Sequence, residues 1–253
     1  MTQELRALVI AAASIGFFHT LLGPDHYLPF IMMAWARKWS AGKTALITLL
    51  CALGHIGSSV VLGLVGVSLG LAVKGLEGAE SVRGSMAAWL LIAFGFAYLI
   101  WGLRLVYRKH PHQHVHPHTH PHPHGPDQPA HHEPPETDRH THTHTHLGEH
   151  SHVHDGLSGK ALTPWVLFVI FVFGPCEPLI PLLMYPAAGG GWGDLFIVTA
   201  VFGGVTTATM LAAVFLGKAG VDLLPLKKLQ HYSHALAGAA ILLCGLAIQL
   251  LGL

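Results

Sequence analysis

"HTLLGPDHYLPFIMM", residues 19–33, sits inside a long apolar run and decides how the chain is read. Two histidines, one aspartate and two prolines interrupt what is otherwise a membrane-grade segment. An Asp at the centre of a membrane helix costs about 2.5–3.5 kcal/mol on insertion scales, so it pairs, faces water or binds something. Pro24 and Pro29 lack backbone donors and disrupt the helical ladder. Carbonyls freed in this way are tolerated at membrane depth where they line a cavity or are buried in protein. The stretch therefore predicts a broken helix that carries a site at its break. His19 precedes His26 by seven residues, so an unbroken helix would set both on one face.

The composition agrees. The chain has 253 residues, 51% hydrophobic and 11% charged, with a mean hydropathy of +0.49. Soluble domains carry about 25% charged residues. Apolar runs near the ~20 residues needed to cross a bilayer recur along the chain. Six spans are expected, at 5–33, 44–73, 86–107, 163–187, 195–217 and 234–253. The fold class is thus an all-α integral membrane protein. The first run is too long for a secretory h-region and follows Glu4, so no cleaved signal is expected. The net charge of +1 is uninformative about partners, and no nucleic-acid partner is expected. Cys51, Cys176 and Cys244 all lie in apolar spans and do not form a spaced disulfide framework.

The opening stretch has a counterpart. "GPDHYLPFIMM" begins at Gly23 and "GPCEPLIPLLM" at Gly174. Gly23/Gly174, Pro24/Pro175, Leu28/Leu179, Met33/Met184, Gly42/Gly193, Thr48/Thr199 and Gly66/Gly217 are each 151 apart. "GFAYLIWGL" at Gly95 and "GLAIQLLGL" at Gly245 are 150 apart. Each half holds three expected spans, and an odd number inverts the second half in the membrane. This is the inverted-repeat plan of many transporters, with broken Gly-Pro helices in spans one and four and a site near the midplane.

In that register Asp25 meets Cys176 and His26 meets Glu177. Carboxylate, imidazole and thiolate form a ligand set for borderline divalent metals. His19, Asp25, His26, Cys176 and Glu177 are the candidate ligands, with His55 in span two as an addition. The blander readings are a buried hydrogen-bond network for His19, Asp25 and His26, a small core residue for Cys176, and a local bond from His55 to Ser58 or Ser59. Thr206 and Thr207 fall opposite His55 and Ile56 and read first as packing residues.

Between the halves lies a tract in which residues 110–154 hold 17 of the 22 histidines. It divides the chain into a first repeat at 1–109, a linker at 110–160 and a second repeat at 161–253. Pro, His, Thr and charge leave little to bury, so disorder is expected. Neutral imidazoles bind Ni, Co, Zn and Cu. The candidate capture residues are His112, His114, His116, His118, His120, His122, His124, His140, His142, His144 and His146. Loops after spans one, three and five carry eleven Lys and Arg residues, and the other side carries Arg6, Lys74 and Arg83. The positive-inside rule therefore expects a cytoplasmic His tract and both termini outside the cytoplasm.

These residues resemble the nickel/cobalt transporter families, including the efflux type and the urease-accessory-type membrane proteins. Those families carry a histidine followed by an Asp-His pair in an early transmembrane helix, and several carry a His-rich cytoplasmic loop. His19 and Asp25-His26 match the first feature, with one residue more than the usual spacing, and 110–154 matches the second. The two-half layout is similar to the wider superfamily of sulfite exporters and thiol–disulfide membrane proteins of cytochrome c maturation. The resemblance implies metal recognition by the early helix.

The expected function is secondary transport of a divalent transition metal, nickel or cobalt first and zinc next, with export the favoured direction. The expectation is a transporter rather than an enzyme, with a transported metal but no resident cofactor. Its setting would be a bacterial inner membrane, with lipid and metal ions as partners and homo-oligomerisation open. Two other functions fit parts of the pattern. A transmembrane thiol–disulfide protein would need a pair of reactive thiols. A membrane metallochaperone or sensor would need the His tract but no flux.

Overall fold

The computed structural model describes residues 2–69, 73–108, 114–118, 140–144, 159–174, 176, 178–188, 191–223 and 229–251. The chain divides into two compact units, Met1–Val106 with Gly156–Leu253, and Tyr107–Asp155.

The first unit is helical. It comprises α1 (Gln3–Leu22), a 3-10 turn (Pro24–His26), α2 (Leu28–Ala36), α3 (Ala41–Ser68), α4 (Val73–Arg108), α5 (Gly159–Phe173), α6 (Leu179–Ala188), α7 (Trp192–Leu223) and α8 (Ser233–Leu251). Polar caps start two of these: Thr2 accepts from the Leu5 amide and Ser40 from the Lys43 amide. Among the described residues, five helices are long and apolar enough to cross a membrane. They expose large apolar side chains such as Leu22, Val61, Phe196 and Leu243, a surface suited to lipid.

The expected fourth span, 163–187, is broken at its Gly-Pro segment as expected, into two short helices, α5 and α6, separated around Gly174. Neither alone reaches membrane-spanning length. The cause is local: Pro175 and Pro178 supply no amide hydrogen to the end of α5. The same break separates α1 from α2 at Gly23. The third expected span began at 86, whereas α4 begins at Val73. Residues read as a charged loop are therefore helical.

Helix α1 packs on α7 and α3 on α5; α2 packs on α7 and α8, and α6 on α3 and α7. Helices α4 and α8 meet backbone to backbone. A Cβ on Gly95 would strike the backbone of Leu242, and one on Gly102 that of Ala235. From the other side, Gly238 abuts Leu99 and Gly245 abuts Ile92. One numbering rises as the other falls, so the helices are antiparallel. Glycines seven apart on each helix keep the small residues on the seam. One apolar cluster gathers Phe30, Met33, Cys51, Phe171, Ile241 and Cys244; a second gathers Cys176, Leu179, Val198 and Phe202.

In the second unit the described residues form two strands, β1 (His114–His118) and β2 (His140–His144). They pair antiparallel, with His114 opposite His144, His116 opposite His142 and His118 opposite His140. The remaining residues of 110–158, on which the expectation of disorder chiefly rests, lie outside the described ones.

Candidate metal centre

The break after α1 builds the site. Pro24 has no amide hydrogen, so the chain leaves the helix at Gly23 and makes one 3-10 turn. The Gly23 amide still donates to the His19 carbonyl at 3.1 Å. A Cβ at Gly23 would stand 2.7 Å from His26 Nδ1 and 2.8 Å from Asp25 Oδ1, so any other residue there would displace these two side chains. The sequence expectation that His19 and His26 meet is met, but by the break rather than by a continuous helix. Their ring centroids are 4.7 Å apart and nearly perpendicular.

His55 on α3 completes the group. Its ring centroid is 5.1 Å from that of His26 and 6.5 Å from that of His19. One ring nitrogen from each of His19, His26 and His55 lies within 4.8 Å of the others. Three imidazoles around one ion with metal–nitrogen bonds near 2.0–2.1 Å would stand about 3.4 Å apart. Rotamer adjustments of about 1 Å therefore close the set.

The hydrogen bonding favours ligation. His19 Nε2 and His26 Nε2 are buried without a hydrogen-bond partner, and the buried His55 ring makes no hydrogen bond of good geometry, although the Phe171 carbonyl lies beside it. A buried polar atom left unpaired costs about 1–3 kcal/mol. One such atom from each of three neighbouring rings favours a ligand that binds them together. His26 Nδ1 lies 3.2 Å from the Gly23 carbonyl and 3.1 Å from Asp25 Oδ1. Both partners only accept, so Nδ1 carries the hydrogen and Nε2 presents its lone pair. A carboxylate behind the imidazole is the usual support of a metal-binding histidine. Asp25 thus stands behind His26 rather than beside the three converging nitrogens.

The group opens into a cavity of about 560 Å³ whose lining includes His19, Asp25, His26, His55, Phe171 and Gly174. Ser81, Gly84 and Ser85 of α4 also line it. Phe171, 6.4 Å from His55 between ring centroids, supplies an apolar side. Three soft-to-borderline nitrogen ligands with open positions suit Ni, Co, Zn or Cu better than Mg or Ca.

Cys176 does not join the three histidines. It is fully buried in the apolar cluster with Leu179, Val198 and Phe202. Glu177, His112, His120, His122, His124 and His146 lie outside the described residues, and for the histidines of β1 and β2 only the backbone is described. Ser58 Oγ donates to the backbone carbonyl of His55 at 2.9 Å, so the local bond foreseen for His55 forms on its backbone and not on its ring. Thr206 is buried beside Gly16, away from the cavity lining.

The sequence reading missed Glu80 and Arg83. Glu80 is fully buried, and its Oε1 accepts from Arg83 Nη1 at 2.6 Å. The i,i+3 spacing of opposite charges was the available signal. The low hydropathy around them hid it, because the stretch reads as a loop.

Comparison with family models, curated proteins and solved structures finds no match for this chain.

Proposed function

We propose that this protein is a secondary transporter of divalent transition-metal ions, nickel or cobalt first and zinc next. The observation that carries the reading is the convergence of His19, His26 and His55 with their lone-pair nitrogens buried and unpartnered. A site of three imidazoles backed by one carboxylate is strong enough to select an ion from water. With positions left open, it also lets the ion go. Asp25 orients His26, and the break at Gly23 supplies the hinge-like discontinuity on which transporter sites are commonly built.

The two halves are read as inverted three-span repeats, with α5 and α6 together making the fourth of six spans. Reciprocal packing supports this. Helix α1 lies on α7 as α3 lies on α5, and α2 lies on α7 as α6 lies on α3. The antiparallel α4–α8 seam joins the last helix of each half. Rocking one half against the other would alternate access to the histidines. The excess of Lys and Arg after spans one, three and five supports a cytoplasmic His tract and non-cytoplasmic termini in a bacterial inner membrane. A cytoplasmic store of imidazoles favours export, since it gathers excess ion on the side from which it leaves.

The test is flux in proteoliposomes loaded with a panel of divalent ions, comparing the native chain with His55→Ala. Nickel or cobalt should move with the native chain and stop with the variant. If no divalent ion moves with the native chain, transport is the wrong reading.

A further inference from the structure

Arg83 donates five hydrogen bonds to described residues, and no part of the metal reading uses it. Its Nη1 donates to Glu80 Oε1 at 2.6 Å and to Ser59 Oγ at 3.4 Å. Its Nη2 donates to Ser58 Oγ at 2.7 Å, to the Val172 carbonyl at 2.8 Å and to the Gly174 carbonyl at 3.4 Å. One guanidinium on α4 therefore gathers α3 and the broken end of α5.

The break explains why a cation is there. In a continuous helix the Gly174 carbonyl would accept from residue 178, which is proline. The Phe171 carbonyl would accept from residue 175, also proline, and takes the Gly174 amide instead at 3.1 Å. Among the described residues, the donor on the Gly174 carbonyl is Arg83 Nη2. At the equivalent break in the first half, the Gly23 carbonyl takes the backbone amide of His26 at 3.1 Å and also the Nδ1 hydrogen of the same residue, a member of the triad itself. The second break has no such histidine, and Arg83 fills the place from another helix. A planar fork with several donors suits this task, and a lysine has no equivalent geometry.

Two of these acceptors, Ser58 and Gly174, lead to His55. Ser58 takes its hydrogen bond from Arg83 and gives its own hydrogen to the His55 carbonyl at 2.9 Å. Gly174 lies against the other side of His55, where an added Cβ would stand 3.0 Å from Nδ1. Through Ser58 the guanidinium holds the peptide from which the ring projects. Through Gly174 it holds the wall the ring rests on. Glu80, fully buried with Oε2 unpartnered, neutralises the cation so that it does not oppose a nearby divalent ion. Burying such a pair is costly, and satisfying carbonyls alone does not require contact with both neighbours of His55.

We propose that Arg83, charge-balanced by Glu80, is a positioning residue for His55 of the metal centre, acting through Ser58 and the Gly174 carbonyl. The proposal rests on the metal reading above. It deepens that reading by adding a support for His55 comparable to the one Asp25 gives His26.

The test is a Co²⁺ titration of the purified full-length chain in detergent, followed by visible d–d absorption. The difference from His55→Ala isolates the buried site from the His tract. Arg83→Gln should weaken that site by about tenfold or more and change its band shape, the scale expected for outer-shell partners. Ser58→Ala should shift affinity the same way by less. Arg83→Lys keeps the charge opposite Glu80 and should restore thermal stability without restoring the spectrum. If Arg83→Lys restores affinity and spectrum in full, neutralising Glu80 is the whole role and the proposal falls. It also falls if folded Arg83→Gln melts earlier yet binds Co²⁺ with native affinity and spectrum, because Arg83 is then only a helix cap. Should Arg83→Gln not fold, native binding by both Ser58→Ala and Arg83→Lys overturns the proposal. A native chain with no Co²⁺ signal dependent on His55 instead overturns the metal reading itself.

Discussion

His26 Nδ1 lies 3.1 Å from Asp25 Oδ1, and this one contact assigns the two residues different roles. The imidazole keeps its other nitrogen for the cavity, and the carboxylate sets the ring's orientation and basicity. Sequence alone ranks the pair as two ligands.

Replacing Asp25 should therefore weaken the site without erasing it. Asp25→Asn keeps an acceptor for the Nδ1 hydrogen but removes the charge. Its Kd for Ni²⁺ or Co²⁺ should rise about 10–100-fold. His26→Ala should abolish the buried site. Equal losses in a titration calorimeter would make Asp25 a ligand after all.

Affinity at this centre should fall as the solution is made more acidic. A protonated imidazole has no lone pair, so binding displaces any proton held at a ligand nitrogen. The measurement is the Co²⁺ affinity of the loop-deleted chain from mildly alkaline to mildly acidic buffer. An affinity that holds or rises on acidification would exclude a three-imidazole site.

Cys176 should be dispensable for metal binding. It sits among Leu179, Val198 and Phe202, with no place in the cavity lining. Cys176→Ala should leave the Co²⁺ spectrum and flux unchanged and lower the melting temperature slightly, as a small core truncation does. Loss of flux with native metal binding would revive a thiol-based mechanism.

The α4–α8 seam should tolerate no side chain. Gly238→Ala would press a methyl onto the Leu99 backbone, which a rotamer change cannot relieve. The cost should be about 1–3 kcal/mol or more, read as a lower unfolding midpoint in detergent. Gly204→Ala is the control, since nothing lies within 4 Å of its added Cβ. Similar losses in both variants would mean that the seam does not set the result, since Gly→Ala by itself favours a helix by about 1 kcal/mol.

Deleting residues 110–154 should reduce the metal equivalents bound per chain while leaving flux through the core. The tract contains 17 histidines and the buried site three. Equilibrium dialysis gives the stoichiometry, and liposome flux the activity. A deleted chain that folds and binds at the buried site but moves no ion would make the tract part of the path.

Much of this protein is written in its order of residues. Apolar runs longer than a bilayer is thick require helices, because unpaired backbone groups are intolerable in lipid. Prolines 24, 175 and 178 determine the two breaks, since a missing amide hydrogen is a property of the chain and not of its surroundings. The rarity of His, Asp and Glu in such runs singled out His19, Asp25, His26 and His55 before any coordinates.

Tertiary structure decided the rest. Ligation depends on which nitrogens converge, and that follows from how α3 approaches the break in α1. Register alone pairs Cys176 with Asp25, yet packing turns it into an apolar cluster. Glu80 and Arg83 look like loop charges because hydropathy sums residues singly. Only folding brings them together, and only then can a buried charge pair, with two serines and two freed carbonyls, exist inside helices built for a membrane.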